Sequence, residues 1–134
     1  MTQTNRELVQ QAYEAWNRAD WNGVFALFDP DIEVRPPELW PENAALRGRG
    51  NVRQAFEAVV ETSEGLPSMA VGDLEEIGDR VLASVRGGGK GRSSGIPIEA
   101  SFSQVFQLRE GKIVRIDFYL DHAAAREAVG LPRG

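Results

Sequence analysis

Few side chains in this chain combine a suitable type with a position that suggests proton transfer. The sequence contains one histidine, His122, which directly follows the acidic residue Asp121. An imidazole titrates near neutrality, so His122 would serve as a general base if the segment around it closed over a pocket. The alternative interpretation is that Asp121 caps a short terminal helix and that His122 faces solvent.

Glu38 and Asp117 are two further candidates for acid or base chemistry. Glu38 shares a proline-punctuated loop with Trp40 and Glu42, and we expect this loop to border an opening in the fold. As a lid it would bring Glu38 to a ligand, whereas as an ordinary surface loop it would have no role. Asp117 alternates with apolar residues in a predicted strand. It would therefore reach an interior site only if the strand were shifted by one residue.

Composition excludes several classes of site. The 134 residues include no cysteine, which rules out disulfides, a thiolate nucleophile and cysteine-based metal sites. One histidine rules out a zinc site built from several histidines of one chain, so we expect neither a metal nor another cofactor. The run Gly87–Gly91 contains Lys90 but lacks the spacing of a phosphate-binding loop, and it is predicted to be a flexible hairpin.

The net charge and the first residues of the chain indicate which binding partners and which cellular location to expect. The net charge is −5, and a negative chain repels phosphate backbones unless its basic residues gather on one face, so nucleic acid is not an expected partner. No stretch approaches the roughly 20 apolar residues that a membrane helix needs, and no membrane contact is expected. The segment Met1–Glu7 lacks a basic and apolar leader, and we expect a cytoplasmic protein.

Capping residues and apolar periodicity predict four helices. Thr4 and Glu7 form a capping box ahead of the first helix, and Asp20 is placed to cap a second, shorter one. Asn51 is the predicted N-cap of the third helix, and Asp121 that of the last. The predicted helices cover residues 4–18, 20–28, 51–62 and 123–129.

Alternating apolar residues predict five strands. The first is short and ends at Pro36-Pro37, because proline cannot donate a ladder hydrogen bond. A turn at Ser63–Gly65 separates the third helix from four strands that follow as hairpins in series, with tight turns at Gly78-Asp79 and Glu110-Gly111. The predicted strands are residues 32–35, 69–77, 80–86, 96–109 and 112–120.

Residue parity divides the last two strands into an apolar and a polar face. The polar face mixes serines and charges with Val105 and Tyr119, which is typical of a partly hydrated subunit interface, so we expect a homodimer through it. The other face would turn toward the helices and enclose either a filled core or a cavity. That face comprises Ile98, Ala100, Phe102, Gln104, Phe106, Leu108, Val114, Ile116, Phe118 and Leu120.

Three segments resemble the nuclear-transport-factor-2-like superfamily, specifically bacterial SnoaL-like domains. They are residues 12–20 with 27–31, residues 46–52, and residues 105–114 continuing to 129–134, the last being similar to the end of limonene-epoxide hydrolases. The resemblance implies one α+β domain over residues 1–134. Its cone would be a curved, mixed but mostly antiparallel sheet wrapped around the N-terminal helices, with a short C-terminal helix and an apolar pocket inside.

The resemblance to ketosteroid isomerases brings no proton-transfer group to this chain. Those enzymes use a tyrosine on the first helix, an aspartate base at the end of the first strand and a second acid on the penultimate strand. The corresponding residues here are Ala12, Pro36 and Gln104. Since none of these side chains can exchange a proton, the resemblance implies that steroid isomerisation is absent.

The resemblance to epoxide hydrolases is equally incomplete. These enzymes activate water with a tyrosine and an asparagine on the first strand and an aspartate on the last, where this chain has Val34, Pro36 and Phe118. Arg86 matches the arginine of the hydrolases, but Gly88 stands where its carboxylate partner is expected. Epoxide hydrolysis therefore rests on the similar chain end alone.

The leading hypothesis is a pocket protein for a small apolar ligand of cyclic, terpenoid, steroid or polyketide-like character, with isomerase, cyclase or dehydratase chemistry left open. The alternative is a non-catalytic binding or dimerisation module, because relatives include binding domains without chemistry. The candidates for catalysis are Arg86, Glu38, Asp117 and His122. The predicted ligand contacts are Tyr13, Trp16, Val34, Trp40, Phe56, Arg86, Phe102, Gln104, Phe106, Ile116, Phe118 and Leu120.

Overall fold

Four helices and six strands form the part of the chain that the structure, a computed structural model, describes: residues 4–35, 45–61, 63–91 and 97–132. The helices are α1 (Asn5–Asn17), α2 (Trp21–Ala26), α3 (Arg49–Glu61) and α4 (His122–Ala128). The strands are β1 (Phe28–Arg35), β2 (Leu46–Arg47), β3 (Ser63–Ile77), β4 (Arg80–Gly91), β5 (Pro97–Arg109) and β6 (Lys112–Tyr119).

The strands form one curved, unclosed sheet in the order β2-β1-β6-β5-β4-β3. Neighbouring strands are antiparallel except β1 and β6, which run parallel with Val34 opposite Ile116. One face of the sheet, called the inner face here, packs against the N-terminal helices and carries the main core. The predicted fold class, a mixed but mostly antiparallel sheet around N-terminal helices with a short C-terminal helix, is confirmed.

Three of the residues predicted to cap helices make the expected capping hydrogen bonds. Thr4 and Glu7 make both bonds of the capping box, and Asp20 accepts a hydrogen bond from the Gly23 backbone amide at 3.0 Å. Asp121 accepts from the amide of Ala123 at 3.0 Å. Of the helices within the described ranges, none has the length and apolar character needed to cross a membrane.

Several element boundaries differ from the sequence prediction. The turn predicted at Ser63–Gly65 is the start of β3, and the predicted flexible hairpin Gly87–Gly91 is the end of β4, with Ser63 paired to Gly91. Pairing between long strands therefore overrides the turn-forming composition of both segments. The third helix begins at Arg49 instead of Asn51, and β2 was not predicted.

A bulge between β5 and β6 changes which residues face the core. The pairing shifts between Gln107 and Leu108, so that Leu108 lies opposite Ile113. Ile113 is consequently buried, at 1% exposure, whereas Val114, which simple alternation places on the apolar face, is only partly buried. The prediction for Val114 is wrong because an extra residue in one strand reverses the alternation beyond it.

Helix α4 covers part of the other face of the sheet, called the outer face here. Ala125 and Val129 pack against Leu82 and Val105, and all four are buried. Val105 was predicted to contribute to a subunit interface, but it is covered by a helix of its own chain. Tyr119 remains partly exposed beside this cluster.

Candidate functional site

The candidate interior site is centred on Gln104, in the middle of β5. Its side chain is 4% exposed. Strand pairing places Phe118 of β6 on one side of it and Ala83 of β4 on the other, all on the inner face. Among the described residues that β5 and β6 direct toward the core, Gln104 is the only one with a polar side chain.

Tyr13 connects this residue to the first helix. It lies on the buried face of α1 and donates a hydrogen bond from its hydroxyl to Oε1 of Gln104. The Tyr13 ring also meets Phe106 edge to face, with ring centroids 5.6 Å apart. Burial raises the pKa of Tyr13 well above its usual value of 10.0, because the phenolate would lie in an apolar environment. The hydroxyl therefore remains a neutral donor.

The hydrogen bond from Tyr13 determines which atoms of the Gln104 side chain remain available to a ligand. Oε1 is engaged, which leaves the two N–H groups of Nε2 as the free donors of the side chain. Within the described ranges, Nε2 has no hydrogen-bond acceptor. Nε2 is not among the fully buried polar atoms that lack a partner, so its N–H groups are accessible to water or to a ligand that supplies an acceptor. The pair is thus suited to holding a carbonyl or ether oxygen.

Apolar surface next to Gln104 remains partly accessible. Phe102 and Phe118 stack with ring centroids 5.8 Å apart and an interplanar angle of 25°. Both pack against the main core, yet both are only half-buried. Phe102 is opposite Val85 on β4, which extends the apolar surface toward Val71 on β3. This surface is where an apolar molecule would contact the sheet.

Other predicted contact residues form the packed core around this surface. Val34, Ile116 and Phe106 are at most 4% exposed. Trp16 and Phe56 belong to an aromatic cluster and meet edge to face at 5.8 Å. The remaining rings of that cluster are Trp21, Phe25 and Phe28.

Three of the four catalytic candidates lie on the outer face. Val85 points into the core, so the next residue, Arg86, points outward and is exposed. Asp117 is opposite Val105 on the face that α4 covers, and His122 is the first residue of α4. None of the three lies on the face that carries Gln104. The fourth, Glu38, lies outside the described residues, as do Trp40 and Pro36.

Leu120 also departs from its predicted position. Parity assigns it to the apolar face, but β6 ends at Tyr119 and Leu120 is 49% exposed. Together with Arg86 and His122, it lines a groove of about 420 Å³, which Phe102 also lines. Side chains alternate between the two faces only within a strand, so alternation does not determine where the Leu120 side chain points.

The sequence analysis missed a contact between His122 and Ser103. Ser103 Oγ lies 2.6 Å from His122 Nδ1, and the serine is 1% exposed. The two residues are 19 positions apart, and the contact depends on α4 folding back over the outer face. Alternation places Ser103 on that face, but nothing in the sequence indicates the direction of the terminal helix.

Asp117 takes part in a charged network on the outer face. It accepts a hydrogen bond from Arg115 Nε at 3.0 Å and lies 3.8 Å from Arg35 Nε. The bond to Asp117 raises the pKa of Arg115. Burial, followed by the negative charge of Asp117, raises the pKa of Tyr119. The described residues contain no group of three His, Cys, Asp or Glu side chains that could hold a metal ion.

The sequence pattern of the SnoaL-like domain family matches residues 9–116. No curated protein matched the chain.

Solved structures extend the match to nearly the whole chain. A nuclear-transport-factor-2-like protein of Burkholderia thailandensis is 26% identical, with a TM-score of 0.79 over 95% of this chain and 98% of its own. TerC, co-crystallised with polyporic acid, is 21% identical, with a TM-score of 0.75 over 92% and 95%. The Mycobacterium tuberculosis protein Rv0760c, in complex with estradiol-17beta-hemisuccinate, is 14% identical, with a TM-score of 0.73 over 84% and 90%.

Proposed function

This chain belongs to the SnoaL-like domain family, and on that premise we propose that it binds a small, neutral, apolar molecule between the inner face of its sheet and its N-terminal helices. Cyclic, terpenoid, steroid and polyketide-like compounds are the expected ligands. Similar folds crystallised with polyporic acid, in TerC, and with estradiol-17beta-hemisuccinate, in the mycobacterial protein, support a cyclic apolar body, and both of those compounds also carry an acidic group. The cytoplasmic location expected from the sequence stays a prediction.

The observation that carries the proposal is the buried pair of Tyr13 and Gln104. Its unused amide donors lie beside the half-buried rings of Phe102 and Phe118. Small-molecule sites typically combine an apolar lining with a few polar groups that fix the orientation of the ligand. An acceptor oxygen on the ligand would bond to Nε2 of Gln104 while its hydrocarbon body covers the two rings.

The chemistry of this site favours binding over proton abstraction. Tyr13 is held neutral and Gln104 cannot ionise, so the described inner-face residues around the pair supply donors to an oxygen but no base. These residues therefore favour the second candidate of the sequence analysis, a non-catalytic binding module, over an enzyme. Isomerase, cyclase or dehydratase chemistry would need a further group, and epoxide hydrolysis would need an acid where Phe118 stands.

A matched pair of terpenes tests the proposal. Carvone has the ring skeleton of limonene with an added ketone, so comparing the two isolates the carbonyl oxygen. Tryptophan fluorescence should show both binding, with carvone about tenfold tighter or more because of one hydrogen bond to a buried amide. In Gln104→Leu the preference for carvone should vanish while limonene still binds. Equal affinity of the unaltered protein for both compounds would contradict the assigned role of Gln104.

Turnover assays address the enzymatic alternatives. We expect no appreciable steroid isomerase or limonene-epoxide hydrolase activity, because one general acid or base typically contributes ~10²–10⁴-fold in rate and the aligned groups are missing. Rates comparable to those of a family enzyme would contradict this and would direct attention to Glu38.

We also propose that the chain forms a homodimer through its outer face. Tyr119 offers a partly exposed aromatic ring next to Arg80, Arg115 and Asp117, in a groove of about 240 Å³. Aromatic and arginine side chains are enriched at subunit contacts. Since α4 covers Val105, the contact would centre on Tyr119.

A further inference from the structure

The carboxamide of Gln104 has two chemically opposite ends, and its neighbours decide which end a ligand meets. Oε1 accepts hydrogen bonds, whereas Nε2 donates them. Both atoms are bonded to one carbon and diverge from it, so turning the amide over exchanges a donor for an acceptor at the same place. The orientation of this one group therefore determines whether the interior site selects ligands that accept a hydrogen bond or ligands that donate one.

Strand pairing and ring packing hold the two residues that set this orientation. Gln104 lies between Ala83 and Phe118 in the sheet, so its backbone is fixed on both sides. The Tyr13 ring is 5% exposed and meets Phe106 edge to face, with ring centroids 5.6 Å apart. The Tyr13 hydroxyl is consequently held beside Gln104, to whose Oε1 it donates.

A reversed amide would leave Tyr13 without an acceptor. The hydroxyl keeps its proton, because burial raises the pKa of Tyr13 well above its usual value. Among the described residues, the acceptor for that proton is Oε1 of Gln104. With the amide turned over, Nε2 would face the hydroxyl and the phenolic proton would be buried without a partner, which is unfavourable. Tyr13 thus keeps Oε1 directed toward α1 and leaves Nε2 for the ligand.

The described surroundings of Nε2 provide no convenient acceptor for a ligand hydroxyl. Apart from Tyr13 and Trp16, the buried residues of the described chain with polar side chains are Gln104 and Ser103, and Ser103 contacts His122 on the outer face. The acceptor atoms of the pair, Oε1 and the phenolic oxygen, lie on the side away from Nε2. A hydroxyl aligned to accept from Nε2 is therefore poorly aligned to donate to either of them. A buried alcohol would keep an unused donor, whereas a ketone or ether oxygen has none to satisfy.

We propose that Tyr13 determines the specificity of the interior site by fixing the orientation of the Gln104 amide. The site then selects ligands whose oxygen only accepts hydrogen bonds, such as ketones, ethers and esters, over the corresponding alcohols. Tyr13 does not bond to the ligand in this arrangement, so it is a positioning residue. The specificity rests on the interior binding proposed above, and it adds which oxygen chemistry the ligand carries.

Three terpenes with one carbon skeleton test the specificity. Carvone carries a ketone where carveol carries a hydroxyl, and limonene lacks the oxygen. Tryptophan fluorescence titrations of the unaltered protein should show carvone binding about tenfold tighter than carveol, the effect of one buried donor left without a partner. In Tyr13→Phe the amide can present either end to the ligand, so the ratio of the two affinities should fall to about twofold or less.

Limonene and a second tyrosine variant separate specificity from stability. A purely structural loss in Tyr13→Phe would weaken all three ligands together, whereas a loss of orientation leaves the affinity for limonene within about twofold of its original value. Tyr119→Phe removes the other tyrosine hydroxyl of the chain, which lies on the outer face, and should leave the ratio of carvone to carveol affinity unchanged. Circular dichroism checks that each variant is folded.

An NMR measurement on the unaltered protein does not depend on the folding of Tyr13→Phe. The side-chain NH₂ signal of Gln104 is identified as the one missing from the spectrum of Gln104→Leu. Carvone should shift this signal to lower field, because Nε2 donates to the ketone, and limonene should shift it less. An unchanged signal in protein saturated with carvone would overturn the assignment, since the amide donors would then face away from the ligand.

The titrations distinguish failure of the specificity from failure of the proposed function. Equal affinities for carvone and carveol in the unaltered protein, both tighter than limonene, would overturn the specificity and leave the interior binding in place. A carvone preference that persists in Tyr13→Phe would show that another group orients the amide, which would overturn the role of Tyr13. Equal affinities for carvone and limonene would remove the proposed function and the specificity with it.

Discussion

Tyr13 and Gln104 are joined across 91 residues of sequence by one buried hydrogen bond. The resemblance to ketosteroid isomerases aligns Ala12 with their tyrosine, but the hydroxyl that reaches the penultimate strand belongs to the next residue, Tyr13. Sequence periodicity placed both side chains on core-facing surfaces. It could not reveal their contact, because the contact depends on how α1 lies across the sheet.

A double-mutant cycle tests whether Tyr13 and Gln104 act as a pair. Tyr13→Phe and Gln104→Leu each leave one buried polar group without its partner, so each should lower the free energy of unfolding by about 1–3 kcal/mol. The double variant removes both polar groups and should cost less than the sum of the two. Urea unfolding measures all four proteins. Strict additivity would show that the two side chains do not depend on each other.

The raised pKa of Tyr13 predicts loss of stability at high pH. Below pH 10 the phenol is protonated in both states and contributes no pH dependence. As the pH rises above about 10, the unfolded chain releases a proton that the folded protein retains, so this residue lowers the unfolding free energy by about 1.4 kcal/mol per pH unit until its folded pKa is reached. Urea unfolding at about pH 9 and about pH 11 should show a smaller loss for Tyr13→Phe than for the unaltered protein. Identical losses would contradict the assignment.

At the scale of elements, alternation in β5 was sufficient to identify the inner face. Phe106 and Leu108 are buried on it and Gln104 is its polar member, as the sequence predicted. In β6, strict alternation predicted the wrong face for Val114, because a bulge adds one residue to the strand. It also predicted the wrong position for Leu120, because β6 ends at Tyr119. The first part of β3 was missed because Ser63–Gly65 has turn-forming composition, and β2 was missed because two residues are too few to show alternation.

Two phenylalanines on the inner face separate packed core from ligand surface. Phe106 is 4% exposed and contacts Tyr13, so Phe106→Ala should destabilise the protein by about 3–5 kcal/mol. Phe118 is only half-buried, so Phe118→Ala removes less buried surface and should lower the free energy of unfolding by less. Thermal or urea unfolding compares the two variants. Equal losses would argue for a solid core that leaves no space for a ligand next to Phe118.

At the scale of the whole molecule, the two faces of the sheet are chemically distinct. The inner face is apolar around a single amide, whereas the outer face carries the serines, the ion pairs of Asp117 and the only histidine. The catalytic candidates chosen from the sequence were chosen by residue type, and type does not report which way a strand faces. That is why three of them lie away from the predicted site.

The outer face leads to a prediction about assembly. Light scattering at about 50 μM should give the mass of a dimer, since a stable interface of ordinary size dissociates at much lower concentration. Tyr119→Arg adds a charge beside Arg80 and Arg115 and should weaken the dimer, whereas Leu120→Arg, outside the smaller groove, should have less effect. A monomer mass for the unaltered protein would reject the dimer.

The central claim is that a neutral ligand binds inside the fold with its oxygen on Gln104, and a crystal structure of the protein soaked with carvone tests it most directly. The account predicts electron density against Phe102 and Phe118, with the ketone oxygen about 2.7–3.2 Å from Gln104 Nε2. An interior filled by side chains, with carvone absent or bound only on the outer face, would contradict it.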